Sequence, residues 1–500
     1  MKTYGALAFF AFAALAFAAV WLGGLNQDEG WYLYAANMVA EGNVPYRDFF
    51  FTQGPLMPII YSAFTGAWEN FGLLGGRLAT LTLGFISILF ATALARLIAP
   101  AERRGAAGLI VFMLLSGNLY HVYYLAIPKT YALATMFLSM GFYLLAFAWT
   151  MRENGRKRFA SWLFFASGVT MALAAGVRIS LGVALAAAVV SLAVMWKRGK
   201  WNFAVFAAGA LTTLAVVYGP FLLDETSRNA LIAAQKYHAA RGGFDVVFVI
   251  GSISRLCRWY LPVFVLAGLG CAAIKHSLRG ANAMLTILLA SFGALFAFHL
   301  AAPFPYEDYQ VPAMTLAAVW AAVAVCRYQA MRPGILLFAT IGVVWACAFS
   351  NPLLEKWTVN GQDRLWTLKK EKTEIRQLRD MARVIEAIDP GGDMLLTQDL
   401  YLAIETRRHV PHGLEMGPFS MLSHDEWTAL LDSAPARVAA FSGYSFAINP
   451  PVCDERPIDE QIEYWTLLKK RYDLVLKEDM FGQNATTLLL LKRKEEGGGE

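Results

Sequence analysis

Two adjacent carboxylates, Asp28 and Glu29, follow directly on an apolar run that ends near Leu25, in the stretch LNQDEGWYLYAANMVAEGNVPYRDFFFTQGPL. A carboxylate at such an edge can accept a proton as a general base. It can equally cap a helix, because aspartate is a favoured N-cap and acidic groups suit the positive end of the helix dipole. Asn26 and Glu29 have capping-box spacing, with Asn in the Ser/Thr place, which would satisfy the helix start without Asp28. Residue types alone leave cap and base both open. Three basic residues stand in or between apolar segments: Arg77 in LLGGRLATL, Lys129 in AIPKTY and Arg178 in AAGVRISLG. Charges so placed face a cavity or a partner, or snorkel to an interface. The segment PYEDYQVP sets Tyr306, Glu307 and Asp308 just before a further apolar run.

The elements that must hold these residues are membrane helices. The chain is 57% hydrophobic and 16% charged, whereas about a quarter of residues are charged in soluble domains. Apolar segments near 5–25, 72–95, 105–126, 130–150, 160–177, 179–196, 202–223, 259–274, 281–301, 311–326 and 334–350 give about eleven spans. Roughly 20 residues cross the hydrocarbon core, and lipid leaves backbone groups no partner outside a helix. The first run resembles a signal peptide but is long enough to span, so an uncleaved span is expected. With Lys2 in the cytoplasm, the clusters Arg96/Arg103/Arg104, Arg152/Arg156/Lys157/Arg158, Lys197/Arg198/Lys200, Lys275/Arg279 and Arg327/Arg332 all fall on that side, as the positive-inside rule requires. An odd number of spans then exports the tail. Two exported loops, 26–71 and 224–258, exceed what a hairpin needs, and function gathers on such loops. Within the first, Trp31, Tyr34, Ala35, Met38 and Val39 fall at helical spacing, which predicts an amphipathic helix along the outer membrane surface.

Residues 1–350 carry 24 Lys/Arg and 12 Asp/Glu, while 351–500 carry 19 and 25 in less than half the length. The boundary predicts a transmembrane domain over 1–350 and a soluble domain over 351–500. In the tail a helical stretch from Leu365 to Ile388 precedes short apolar runs, MLLTQ, RVAAF, DLVLKE and TTLLLLKR, which alternate with helical patterns such as HDEWTALLD. That alternation predicts a small α/β domain. The fold class is thus a polytopic α-helical membrane protein with an exported α/β tail. The five cysteines show neither metal spacing nor a disulfide framework. The net charge of +6 is scattered in short clusters, not gathered in the stripe that binds nucleic acid.

Asp28-Glu29 closing the first span, the aromatic-rich helix, Gly42, Pro45-Tyr46, Asp48, and Gly54-Pro55 leading into another apolar stretch together resemble the first external loop of the GT-C-fold lipid-linked sugar transferases. The related groups are the protein O-mannosyltransferases, the lipid A aminoarabinose transferases and the rhizobial lipopolysaccharide galacturonosyltransferases. The motif is confined to residues 28–58, and the plan of many spans plus a tail extends the likeness over the membrane part. The family commonly has Pro-Pro where this chain has Gly54-Pro55, and His or Lys where it has Gln53.

The resemblance implies an inverting glycosyltransferase of the bacterial-type inner membrane, N-terminus cytoplasmic and tail periplasmic or extracellular. Its donor would be a polyprenyl-phosphate sugar and its acceptor a glycan, lipid or protein hydroxyl. Asp28 matches the catalytic Asp, with Glu29 beside it as a second carboxylate. Asp48 and Tyr46 would touch substrate, and Tyr306, Glu307 and Asp308 would wall the sugar pocket. Arg77, Arg178 and Lys129 would meet the donor phosphate, since fixed cations favour the charge that develops on a departing monophosphate and arginine's fork pairs its oxygens. A monophosphate carries less charge than a pyrophosphate, and no carboxylate-plus-His spacing marks a metal site, so no metal and no cofactor are expected. The rival class is a secondary transporter or lipid flippase. Transporters commonly show internal repeats, whereas here polar groups concentrate at one face.

Overall fold

The computed structural model describes residues 2–195, 200–240, 242–274, 283–327, 372–420, 422–443, 458–483 and 486–495. The expected span 334–350 and the start of the helix at 365 lie outside the described residues. The chain forms two compact units, one of Met1–Ala19, Thr52–Met57 and Thr80–Glu355, the other of Val20–Phe51, Pro58–Ala79 and Lys356–Glu500. This division does not follow the sequence boundary at 350, because most of the loop 26–71 belongs with the tail.

Among the described residues seven helices are long and apolar enough to cross a membrane: Tyr4–Trp21, Leu73–Ile98, Thr130–Glu153, Lys157–Val177, Asn202–Leu223, Ala283–Leu300 and Glu307–Cys326. The segment 179–196 is a shorter apolar helix, Ile179–Val194. The segment 105–126, expected as a straight span, is broken, and the segment 259–274 forms a bent pair with a helix from the expected loop 224–258. Ala101–Ser116 meets Leu119–Ala126 at 71°, and Val246–Trp259 meets Leu261–Cys271 at 88°. Asn118 serves both breaks. Its backbone is extended, its side chain accepts from the His121 N–H at 3.1 Å, and its amide donates to the Trp259 carbonyl at 2.9 Å. Tyr120 stacks on Trp259 with ring centroids 3.8 Å apart. Backbone groups exposed by a break in an apolar interior need such partners.

The first unit is built around the helix Glu307–Cys326, 94% of whose apolar window is buried, against 28% for Tyr4–Trp21. Small residues let its neighbours approach closely, as is usual between membrane helices. A Cβ at Gly168 would strike the Phe206 carbonyl, and one at Gly209 the Phe165 carbonyl, so Lys157–Val177 and Lys200–Leu223 touch backbone to backbone. Phe10, Trp162, Val194 and Val216 point outward, in keeping with lipid as solvent.

In the second unit the tail runs named above become β1 (Leu396–Thr397), β2 (Val438–Ser442), β3 (Tyr472–Phe481) and β4 (Thr486–Arg493). Their order is β1-β2-β4-β3, with β1 and β2 parallel and the other pairs antiparallel. β2, VAAFS, is buried along its whole length, as a strand covered on both faces should be. Helices Glu374–Ile388, Leu400–Thr406, His424–Ser433 and Ile458–Arg471 complete the tail.

The helix Gln27–Ala40 is not the surface helix that its periodicity predicts. Gln27 and Glu29 to Ala36 are all buried, because its aromatic face meets protein, packing on Leu400–Thr406. The Tyr34 hydroxyl accepts from the Val410 N–H at 3.0 Å, and burial pushes its pKa up to about 12. Gly30 permits the contact, since a Cβ there would collide with the backbone of Leu400 and Tyr401. Gly30→Ala should therefore cost about 1–3 kcal/mol by overpacking despite its gain in helix propensity. Gly66→Ala, in a helix where a Cβ meets nothing within 4 Å, should be neutral or slightly stabilising. Thermal unfolding of the two variants in detergent measures the contrast.

Candidate functional site

At the start of the Gln27–Ala40 helix the cap is not Asp28. Asn26 is the N-cap, and a capping box is complete: the Asp28 N–H donates to Asn26 Oδ1 at 3.1 Å and the Asn26 N–H to Glu29 Oε1 at 3.0 Å. The Asp28 side chain is not used as the cap. It is half-buried, and its Oδ1 accepts from the Trp31 indole N–H at 3.2 Å.

Glu29 and Arg77 are consumed by one another. Both are fully buried, and the guanidinium straddles the carboxylate, Nε to Oε2 and Nη2 to Oε1, each at 2.7 Å. Nη1 donates to the carbonyls of Val20 at 3.0 Å and Gly23 at 2.9 Å, and Nη2 to Gly24 at 2.7 Å. A guanidinium has five N–H donors, and these bonds use all five. Arg77 has none left for a phosphate, and Glu29 has no exposed oxygen for a substrate. The roles expected for both are corrected on that ground. Arg77 instead satisfies carbonyls at the end of the first helix, whose C-terminal dipole favours a cation.

Asp48 and Tyr46 both belong to the turn that follows the helix. Asp48 closes the turn after the helix, accepting from the Val44 N–H at 2.7 Å and from Arg47 Nε at 3.0 Å and Nη2 at 2.9 Å. The Arg47 bond, with that from Val44, holds its pKa below the ordinary carboxylate value. Tyr46, with φ of 67°, is buried with its ring edge-on to Phe51. Both residues, expected to touch substrate, here shape the turn.

In the first unit Lys129, Arg178 and Asp308, far apart in sequence, come together. Lys129 Nζ donates to Asp308 Oδ2 at 3.1 Å, and the Tyr131 hydroxyl donates to the same oxygen at 2.8 Å. The Arg178 guanidinium lies between the rings of Tyr131 and Tyr309, 4.8 Å from each centroid, and donates to Thr130 Oγ1 at 3.1 Å. Glu307 pairs with Arg255, a cation not singled out from the sequence. Its signal was the external loop 224–258, where Arg255 falls on the amphipathic helix Val246–Trp259. Lys129, Arg178, Glu307 and Asp308 are each less than 10% exposed. The two carboxylates, expected in the sugar wall, are occupied in orienting cations. Tyr306 remains more open, its ring 6.0 Å from that of Phe304. Among the described residues no group of three or more His, Cys, Asp and Glu could hold a metal ion.

No protein-family model and no curated protein sequence matches the chain. Solved structures do. The chain is similar over 100% of its length, and 100% of theirs, to ArnT from Cupriavidus metallidurans bound to undecaprenyl phosphate, at a TM-score of 0.64 and 14% identity. The apo form of that protein gives the same score over 98% of each chain. The oligosaccharyltransferase of Archaeoglobus fulgidus, in a complex with Zn and sulfate, gives 0.55 at 13% identity, covering 95% of this chain and 72% of that one. The chain has the GT-C fold and is a multi-pass membrane protein.

The Glu29–Arg77 pair yields a stability prediction. Arg77→Met, which strands a buried carboxylate, should cost about 3–5 kcal/mol, and adding Glu29→Leu should recover part of that loss. Unfolding midpoints of the single and double variants are the check.

Proposed function

We propose that the chain is an inverting glycosyltransferase that moves a sugar from a polyprenyl-phosphate donor to an acceptor hydroxyl on the external face of the membrane. The observation that carries this is the full-length likeness to a protein whose structure holds undecaprenyl phosphate. Asp28, relieved of capping by Asn26 and Glu29, is assigned as the general base. It accepts the proton of the acceptor hydroxyl as that oxygen attacks the anomeric carbon. The bond to the phosphate oxygen breaks on the opposite face, its electron pair stays with the phosphate, and the anomeric centre inverts.

Lys129 and Arg178 are assigned to the phosphate, with Arg255 as a third cation of the same cluster. Each is held by a ring, a hydroxyl or a carboxylate, so little reorganisation is needed as charge develops, the condition under which fixed cations lower a barrier most. We assign no metal ion to this reaction, because a monophosphate leaving group places on the site a charge that such cations can meet. The topology argued from the basic clusters puts the N-terminus in the cytoplasm and the tail outside.

The test uses the protein reconstituted in vesicles with a polyprenyl-phosphate sugar and an acceptor, following release of polyprenyl phosphate. Asp28→Asn should lower kcat by about 10²–10⁴-fold with donor binding retained; full turnover would remove the base assignment, and lipid flux without bond breakage would favour the transporter. Arg178→Lys keeps the charge but loses the planar group between Tyr131 and Tyr309. It should weaken donor binding about as much as Arg178→Ala, on the order of tenfold. Equal donor affinity in wild type and both variants would detach Arg178 from the phosphate.

A further inference from the structure

A polar network in the second unit joins the tail to the residue beside Asp28. Asp399, at the end of β1, is fully buried. Its Oδ1 accepts from Gln27 Nε2 at 2.6 Å, Ser442 Oγ at 2.7 Å and the Tyr401 hydroxyl at 2.9 Å, and its Oδ2 accepts from the Ser442 N–H at 2.7 Å. Among the described residues no cation pairs with it, so neutral donors alone hold the carboxylate. Gln27 is the only member from the first loop. Its backbone N–H is also taken by the tail, donating to Gln483 Oε1 at 2.8 Å, and its amide touches the Tyr401 hydroxyl at 3.3 Å.

Packing alone does not account for this network. The capping box already satisfies the helix start, and the Gln27 Oε1 is buried without a partner. Apolar side chains at both 27 and 399 would avoid that orphan and the buried carboxylate together, and costly polar groups kept in a core point to a positional task. The three tail bonds at Gln27 fix the first residue of the helix, and Asp28 is the next. Gly30, one turn on, meets the backbone of Leu400 and Tyr401 on the same tail helix.

We infer that Asp399 is a positioning residue that sets the Asp28 carboxylate through the Gln27 amide, making the tail a working part of the catalytic loop. This rests on the assignment of Asp28 as base. Burial raises the Asp399 pKa while its four hydrogen bonds lower it; those bonds are what the network must keep.

The experiment uses the full chain in vesicles with the assay above. Gln27→Met removes only the amide and should lower kcat by about 10–100-fold with KM for the donor little changed, the cost of a misplaced catalytic group. Asp399→Asn should also lower kcat, because in either orientation its Nδ2 sets a donor against a donor, the Gln27 amide on one side or the Ser442 N–H on the other. The reciprocal pair Gln27→Glu with Asp399→Asn rebuilds the bond with donor and acceptor exchanged, and should return kcat to within about threefold of wild type. A role in folding alone predicts a lower unfolding midpoint with an unchanged kcat for the folded fraction, and that result overturns the inference, as does a reciprocal pair no better than Asp399→Asn. Should Asp399→Asn fail to fold, Gln27→Met decides by itself. Asp28→Asn run alongside separates the two ideas. If Asp28→Asn lowers kcat while Gln27→Met leaves it unchanged, the positioning role alone falls; if Asp28→Asn retains full turnover, the base assignment falls and the positioning role with it.

Discussion

The fully buried ion pair of Glu29 with Arg77 is the interaction on which the first loop depends. A membrane helix ends with carbonyls that lipid cannot satisfy, and the next helix begins with N–H groups in the same position. Arg77 donates to the carbonyls of Val20, Gly23 and Gly24 while Glu29 accepts from the N–H of Asn26. One pair therefore closes the end of one helix and the start of another. Taking either partner away leaves a buried charge in a place water cannot reach. The pair also sets the two adjacent carboxylates apart: Glu29 is fully buried in the ion pair, and Asp28, one residue earlier, is half-buried and is not the cap.

The cations of the first unit follow the same rule with a different outcome. A charge inside an apolar unit persists where something holds it, and here the holders are diverse. Lys129 has a carboxylate, Arg178 two tyrosine faces and a threonine hydroxyl, and Arg255 the carboxylate of Glu307. A stacked guanidinium keeps its in-plane N–H groups apart from the ring contacts that fix it. That separates Arg178 from Arg77, whose five donors all end on protein oxygens.

The difference between those two arginines was not legible in the chain. Each is a lone basic residue in an apolar context. What distinguishes them is a partner 48 residues away in one case and a pair of rings brought in by separate helices in the other. Lys129 and Asp308, 177 or more residues apart like Tyr131 and Asp308, pair only once the bundle exists. Local signals fared better. The Asn26–Glu29 spacing gave the capping box, and the four short tail runs gave the four strands, because caps and strand periodicity are set within a few residues. The breaks at Asn118 and Trp259 stand between these cases: Gly117-Asn118 is a helix stop, but the apolar length around it reads as one continuous span.

The burial of the Gln27–Ala40 helix shows what the tail does for the first loop. A loop helix with an aromatic stripe could lie on lipid, which fixes depth but neither register nor rotation. Protein fixes all three. The tail supplies carboxylates to N–H groups at three points: Glu374 to Leu25, Asp399 to Gln27 and Glu405 to Leu73. The last sits at the N-terminus of the helix that bears Arg77, where a negative charge is favoured by the dipole, and Arg379 holds Glu405 in place at 3.2 Å. The tail thus clasps both sides of the Glu29–Arg77 pair. The charge excess of residues 351–500, which from composition alone reads as a mark of solubility, is in part the set of acceptors that the first loop needs in order to have one shape.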